Sequence, residues 1–169
     1  PMQVVSGRMD YPTVHFEAPP RDGLEQRVDE FIQWFNASRT NTLLDPLIRA
    51  GITHLWFVTL HPFDDGNGRI TRTLTDLALA QMDQQSIRLY AMSPVILNKR
   101  KSYYETLEAT QKGGSDITDW LLWFLQALNE SLEQTLKRIE RTLLKSTFWQ
   151  TFSEVDLHEG QRKVLNRLL

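Results

Sequence analysis

The 169-residue chain contains no cysteine, which excludes a disulfide framework, a thiolate zinc site, an Fe–S cluster and a cysteine nucleophile. It has no long apolar run either. The longest, Leu121 to Leu125 with its neighbours, falls far short of the ~20 residues a membrane-spanning helix needs, and the first residues show no charged leader before an apolar block. A soluble, cytoplasmic protein is expected. Charge of one sign is also missing: 19 Lys and Arg stand against 21 Asp and Glu, a net of −2, so no global field draws the chain to nucleic acid or an anionic membrane. No internal repeat or low-complexity tract is present. Any chemistry must rest on His, carboxylate, hydroxyl or Arg side chains, within a length that suits one globular unit.

Strand signals are confined to residues 1–23. Met2 to Val5 and Thr13 to Phe16 are short β-prone stretches around Ser6-Gly7, and Pro19-Pro20 closes the segment in extended form, so a small hairpin or flap is expected. Helical periodicity takes over at Leu24. Leu24, Val28, Phe31, Ile32 and Phe35 form one apolar stripe of a helix ending near Asn36. Asp45-Pro46 is an N-cap and first-turn pair for a largely buried helix that His61-Pro62 must stop. A further helix is expected from Gly68 to about Met82, with Ile70, Leu74, Leu77 and Ala78 toward the core.

Ser93-Pro94 predicts one helix through Gln111, ended by Gly113-Gly114. Ser115 or Asp116 then caps a long helix whose stripe Leu121, Leu125, Leu128, Leu132, Leu136, Ile139 and Leu143 holds one face for about six turns. The stretch from Glu159, with Val164, Leu165, Leu168 and Leu169, reads as a C-terminal helix or as the opening of a second module. The expected fold class is all-α, a helical bundle with a small N-terminal β-hairpin flap.

Residues 61–72 read His61-Pro62-Phe63-Asp64-Asp65-Gly66-Asn67-Gly68-Arg69-Ile70-Thr71-Arg72, between one helix and the start of the next. Gly66 and Gly68 permit positive φ and close approach of a ligand to the main chain. The following helix turns its unpaired amides and positive dipole end to the same place. Arg69 and Arg72, three apart, share a face and can clamp phosphate oxygens. This describes a polyphosphate cradle. Asp65, with Asp64 as a rival, offers the single carboxylate that a phosphate-bound Mg²⁺ requires. His61 can accept a hydroxyl proton during attack on phosphorus, and Asn67 supplies an amide donor.

Other readings of the same loop fare worse. An EF-hand register that puts Gly68 at the sixth position leaves Phe63 at the first and Leu74 at the twelfth, where carboxylates are needed. A Walker loop lacks its Lys-Ser or Lys-Thr pair. A plain tight turn at Gly-Asn-Gly, or a His–Asp pair with a purely structural role, is the bland alternative for the same residues.

His61 to Arg72 resembles, at every defined position, the HxFx(D/E)GNGRxxR signature of the Fic-domain family, and the likeness extends over about residues 1–128 through the expected flap, Trp34-Phe35-Asn36, Tyr103-Tyr104 and Asp116 to Trp120. The resemblance implies an all-helical domain that transfers AMP from ATP to a protein hydroxyl, with ATP and Mg²⁺ as the expected cofactors. By it His61 is the general base, Asp65 the metal ligand, and Gly66, Asn67 and Gly68 surround the α- and β-phosphates. Arg69 and Arg72 reach toward the β- and γ-phosphates. Tyr103, Tyr104, Glu108 and Gln111 border the adenosine, although the tyrosines also suit core packing and Glu108 a solvated face.

The same resemblance places the Fic domain at 1–145, with residues 1–23 as flap and 45–82 as the motif-bearing helix pair, and treats 146–169 as a linker and the start of a further module of winged-helix type. It implies a target protein docking at the flap by strand addition, near His15 and Phe16, and allows a homodimer. His15 itself suits an exposed loop position. Nucleic acid would be met only through the further module, and no membrane partner is implied. Many relatives carry an inhibitory (S/T)xxxE(G/N) helix whose Glu would pair with Arg72. Here the single Glu followed by Gly or Asn is Glu159, and Val155 stands four residues before it. An inhibitory segment ahead of residue 1 is therefore expected, with an antitoxin-like partner or an uninhibited enzyme as the alternatives. De-AMPylation, transfer of another phosphate-containing group, and a non-catalytic nucleotide-sensing module are the alternatives. His54 reads as a core or boundary histidine.

Overall fold

The structure, a computed structural model, describes residues 3–8, 11–17, 20–83 and 91–168. Strands β1 (Gln3–Arg8) and β2 (Tyr11–Glu17) form the expected antiparallel hairpin. Its register passes from Val4 opposite Phe16 to Val5 opposite Val14, which leaves His15 as the extra residue of a bulge, inside a strand and not in a loop. Met2 and Pro19, both counted in the expected flap, lie outside the described residues.

Helix α1 (Leu24–Ala37) leads through a short 3₁₀ turn to α2 (Pro46–Leu60). Asp45 caps α2 as its sequence predicts, its carboxylate accepting from Leu47 N at 2.8 Å and Ile48 N at 3.3 Å, with Pro46 in the first turn. Antiparallel to α2 runs α3 (Asn67–Asp83), followed by α4 (Met92–Asn98), α5 (Arg100–Lys112), α6 (Thr118–Thr151) and α7 (Glu159–Leu168).

α2 is the axis of the bundle, packed by α1, α3 and α6. Phe31 of α1 meets Trp56 and Phe57 of α2, and Phe35, one turn on, stacks against Phe31 and carries the Arg49 guanidinium of α2 4.6 Å from its ring centre. Ile32, expected on that stripe, is exposed, because it lies about 100° round the helix from Phe31. On the other side Trp120 and Phe124 of α6 are fully buried, each contributing roughly 1.5–3 kcal/mol of apolar burial. The two helices touch closely at Gly51, whose carbonyl accepts from Trp120 Nε1 at 2.8 Å. A Cβ at Gly51 would lie 2.9 Å from Leu121 Cδ2, so the crossing requires the missing side chain.

Four further expectations need correction. Leu77 is exposed: the buried face of α3 runs through Thr71, Thr75, Ala78 and Leu79, and Leu77 sits about 200° from Thr75. The helix expected from Ser93 to Gln111 is two helices, α4 and α5, meeting at Lys99, whose backbone leaves helical geometry and whose ammonium pairs with Glu130 of α6 at 2.6 Å. The distal stripe of α6 is not core, since Leu136, Ile139 and Leu143 are exposed. α7 joins α6 by cations reaching its last carbonyls, Lys145 Nζ to Asn166 O at 2.9 Å and Arg141 Nη2 to Arg167 O at 3.3 Å. The cap position of α6 is Ile117, which makes no side-chain cap bond, and not Ser115 or Asp116; Asp116, one residue earlier, accepts from Thr118 N at 2.9 Å. Among the described residues no helix is long and apolar enough to cross a membrane.

His54, in the middle of α2, is fully enclosed. Its Nδ1 lies 3.0 Å from Thr75 Oγ1 and its Nε2 3.0 Å from Tyr103 Oη, with Trp120 and Phe124 rings alongside. Burial, reinforced by the Arg72 charge, lowers its pKa from 6.5 to about 3.

Two outcomes follow from these contacts. Asp45→Ala should cost about 1 kcal/mol in urea unfolding, the usual worth of an N-cap. His54 is neutral in the fold but binds a proton near pH 6.5 once unfolded, so its contribution is complete above that pH and is lost as pH falls toward 3, at up to ~1.4 kcal/mol per pH unit. Unfolding free energies at pH 7.5, 6 and 5 should decline, with His54→Asn removing part of the slope; a flat wild-type profile contradicts a buried neutral imidazole.

Candidate active site

His61 is the residue at which α2 ends. Its backbone turns left-handed, φ 45° and ψ 53°, with its amide still donating to Phe57 O at 3.2 Å. Among the described residues it is the one non-glycine with positive φ, a conformation that costs about 1–2 kcal/mol and swings the next residues out of the helix path. Pro62 then prevents continuation. Strain of this kind gathers at sites whose side chain must face a set direction. The imidazole is half-buried, and burial lowers its pKa against an opposing pull from the Val58 backbone. At neutral pH the ring is therefore uncharged and able to accept a proton.

The loop from 62 to 66 is fixed by Asn67. This side chain is buried, its Oδ1 accepting from Phe63 N at 3.0 Å and its Nδ2 donating to Phe63 O at 2.5 Å. The pair of bonds closes the loop on itself and brings His61 and the start of α3 together. Sequence reasoning gives Asn67 the role of a phosphate donor; its Oδ1 and one of its two Nδ2 hydrogens are engaged by Phe63, and its backbone N–H stands at the start of α3.

Gly66, at φ 87°, turns the chain into α3, and its carbonyl accepts the first helical bond from Ile70 N at 2.9 Å. The amides of Asn67, Gly68 and Arg69 precede that bond, so they are the ones an anion can use.

Arg69 Nη2 pairs with Asp65 Oδ2 at 2.8 Å, the two side chains 73% and 91% exposed. An ion pair this open is worth about 0–1 kcal/mol, so a phosphate can take the guanidinium and a cation the carboxylate at little cost. Arg72 is half-buried and folds back over the turn, its Nη1 placed 3.3 Å from where a Gly68 Cβ would be. A side chain at 68 would push it away. Asp64 is exposed beside Asp65.

The α5 residues divide. Tyr103 turns inward, buried, its hydroxyl bonded to His54, and burial pushes its phenol pKa up. It therefore lines the core and not an open face. Tyr104 is half-buried, edge-on to Tyr103 at 5.2 Å with the Arg100 guanidinium 5.7 Å from its ring centre. Glu108 pairs with Lys112 at 2.5 Å. Gln111 Nε2 donates to Thr59 Oγ1 at 2.9 Å, tying α5 to α2 two residues before His61. Thr71 and Thr75 are functional neighbours that sequence reading passes over: polar residues one turn apart, fully buried because each hydroxyl donates to the carbonyl four residues back, at 2.8 Å. Their spacing with Asn67, every fourth residue, was the available signal.

The Fic/DOC family profile matches residues 5–79, which takes in most of the hairpin, α1, α2 and most of α3. "Protein adenylyltransferase fic-1" of Caenorhabditis elegans is 34% identical over 90 residues, 52% of this chain and 16% of that protein. "Protein adenylyltransferase Fic" of Culex quinquefasciatus is 32% identical over 121 residues, 70% of this chain and 21% of that protein. The chain thus spans about a fifth of the length of the curated relatives it matches. A crystal structure of a Fic family protein from Desulfovibrio desulfuricans G20 superposes with a TM-score of 0.63 at 26% identity, covering 78% of this chain and 38% of that one. With every defined position of the motif present on the α2–α3 turn, and the helical fold shared with a solved relative, this chain belongs to the Fic/DOC family.

Proposed function

We propose that the chain is the nucleotide-handling domain of a protein adenylyltransferase, transferring AMP from Mg-ATP to a Ser, Thr or Tyr hydroxyl of a target protein. The observation that carries this reading is the meeting, at one turn, of a neutral half-buried His61 with the free amides and two arginines of the α3 N-terminus. The names of the matched relatives support the adenylyl group as the cargo.

His61 accepts the proton of the target hydroxyl as its oxygen bonds to the α-phosphorus and the bond to pyrophosphate breaks. The amides of 67–69 stabilise charge on the phosphates, Arg69 and Arg72 hold the leaving pyrophosphate, and orientation of the two reactants removes much of the entropic barrier. Tyr104, Glu108 and Gln111, all partly exposed on α5, border the adenosine. Among the described residues no cluster of three or more His or carboxylate ligands forms a resident metal centre. The exposed Asp65, held only by its open pair with Arg69, would be the ligand for a Mg²⁺ that arrives with the phosphates, a cation that would neutralise their charge. The target segment adds along the β1–β2 hairpin, and a Glu from an inhibitory segment or an antitoxin-like partner competes for Arg72.

Intact-mass measurement of candidate targets, or of the protein itself, after incubation with Mg-ATP should show the gain of one adenylyl group. His61→Ala should slow this by roughly 10²–10⁴-fold, the worth of a general base, while ATP binding persists. A gain of phosphate alone, displacement of ATP by UTP or CDP-choline, or an unaffected His61→Ala variant would overturn the assignment.

A further inference from the structure

A single line of hydrogen bonds crosses three helices beneath the motif. The Thr75 hydroxyl proton is committed to Thr71 O at 2.8 Å, so its oxygen must accept from His54 Nδ1–H. That fixes the tautomer, and Nε2 must accept from the Tyr103 hydroxyl. Thr71 continues the line to Asn67 O at 2.8 Å, and the Asn67 carboxamide holds Phe63 in the motif loop. On its far side the His54 ring rests against Trp120 and Phe124, the most deeply buried rings of α6.

We propose that His54 is a positioning residue: by holding Thr75 it fixes the rotation of α3 about its axis and so aims the Arg72 guanidinium, giving the site its selectivity for a nucleoside triphosphate over a monophosphate. This rests on the reading of the loop as a nucleotide site.

Arg72 stands three residues before Thr75, about 60° away around the helix, so the azimuth of one sets that of the other. A side-chain tip some 5–6 Å from the axis moves about 2 Å for a 20° rotation, enough to break a bidentate phosphate contact. The Arg72 charge is felt by both His54 and Tyr103, so the guanidinium lies within electrostatic reach of the chain that would steer it. An apolar side chain at 54 would fill the same volume, yet it would supply neither the donor that grips α3 nor the acceptor that grips α5.

Calorimetric titration with ATP, ADP and AMP tests the proposal. Thr75→Val, which keeps the shape and removes the acceptor, should weaken ATP by roughly tenfold to a hundredfold, the cost of one charge-assisted bond, with AMP unchanged; Thr75→Ser should restore wild-type selectivity. His54→Asn, as an independent variant, should also lose ATP-over-AMP selectivity. Equal losses for ATP and AMP in both Thr75→Val and His54→Asn, or unchanged selectivity in either, would overturn it. Wild-type protein that binds ATP no better than AMP would also overturn it while leaving the transferase reading standing. Triphosphate selectivity without any adenylyl transfer would sink that reading and leave the positioning role intact.

Discussion

The hydrogen bonds made by Asn67 hold together the part of the molecule on which everything else depends. Its carboxamide brackets Phe63 from both sides, and without it the six residues between α2 and α3 would be a loop of exposed carboxylates and glycine with no fixed shape. With it, the end of one helix and the beginning of the next face the same space. Proton acceptance by His61 and anion binding by α3 then become properties of a single site.

The strength of the contacts around that site is graded in a way that suits turnover. Contacts that define the scaffold are buried: His54 to Thr75, Trp120 to Gly51, and the aromatic packing of α1 and α6. The contact that a substrate must displace, Arg69 to Asp65, is exposed and weak. His61 lies between these extremes, half-buried so that its ring stays neutral, and held by a left-handed backbone.

The motif was legible because its chemistry is contiguous. Twelve neighbouring residues carry the base, the turn, the anion site and the carboxylate, and Asp45-Pro46 marks where the helix that delivers them begins. The rest was harder for physical reasons. Tyr103 and Tyr104 are adjacent and alike in composition, yet one is core and the other borders the open face, a distinction made by 100° of helical rotation and by a histidine 49 residues away. Thr71 and Thr75 look polar in the sequence, but hydroxyls that bond back to their own helix can be buried at little cost. The break at Lys99, the residue that also pairs with Glu130, is announced by no local pattern, and the α6 stripe reads as core along its whole length although its distal half is exposed.

A crystal structure of the protein with Mg²⁺ and a non-hydrolysable ATP analogue tests the central claim most directly. The account predicts the phosphates against the amides of residues 67–69, Arg72 on the outermost of them, and the His61 imidazole facing the α-phosphorus. A nucleotide bound elsewhere, or His61 turned away from it with the phosphates untouched by α3, would contradict the account.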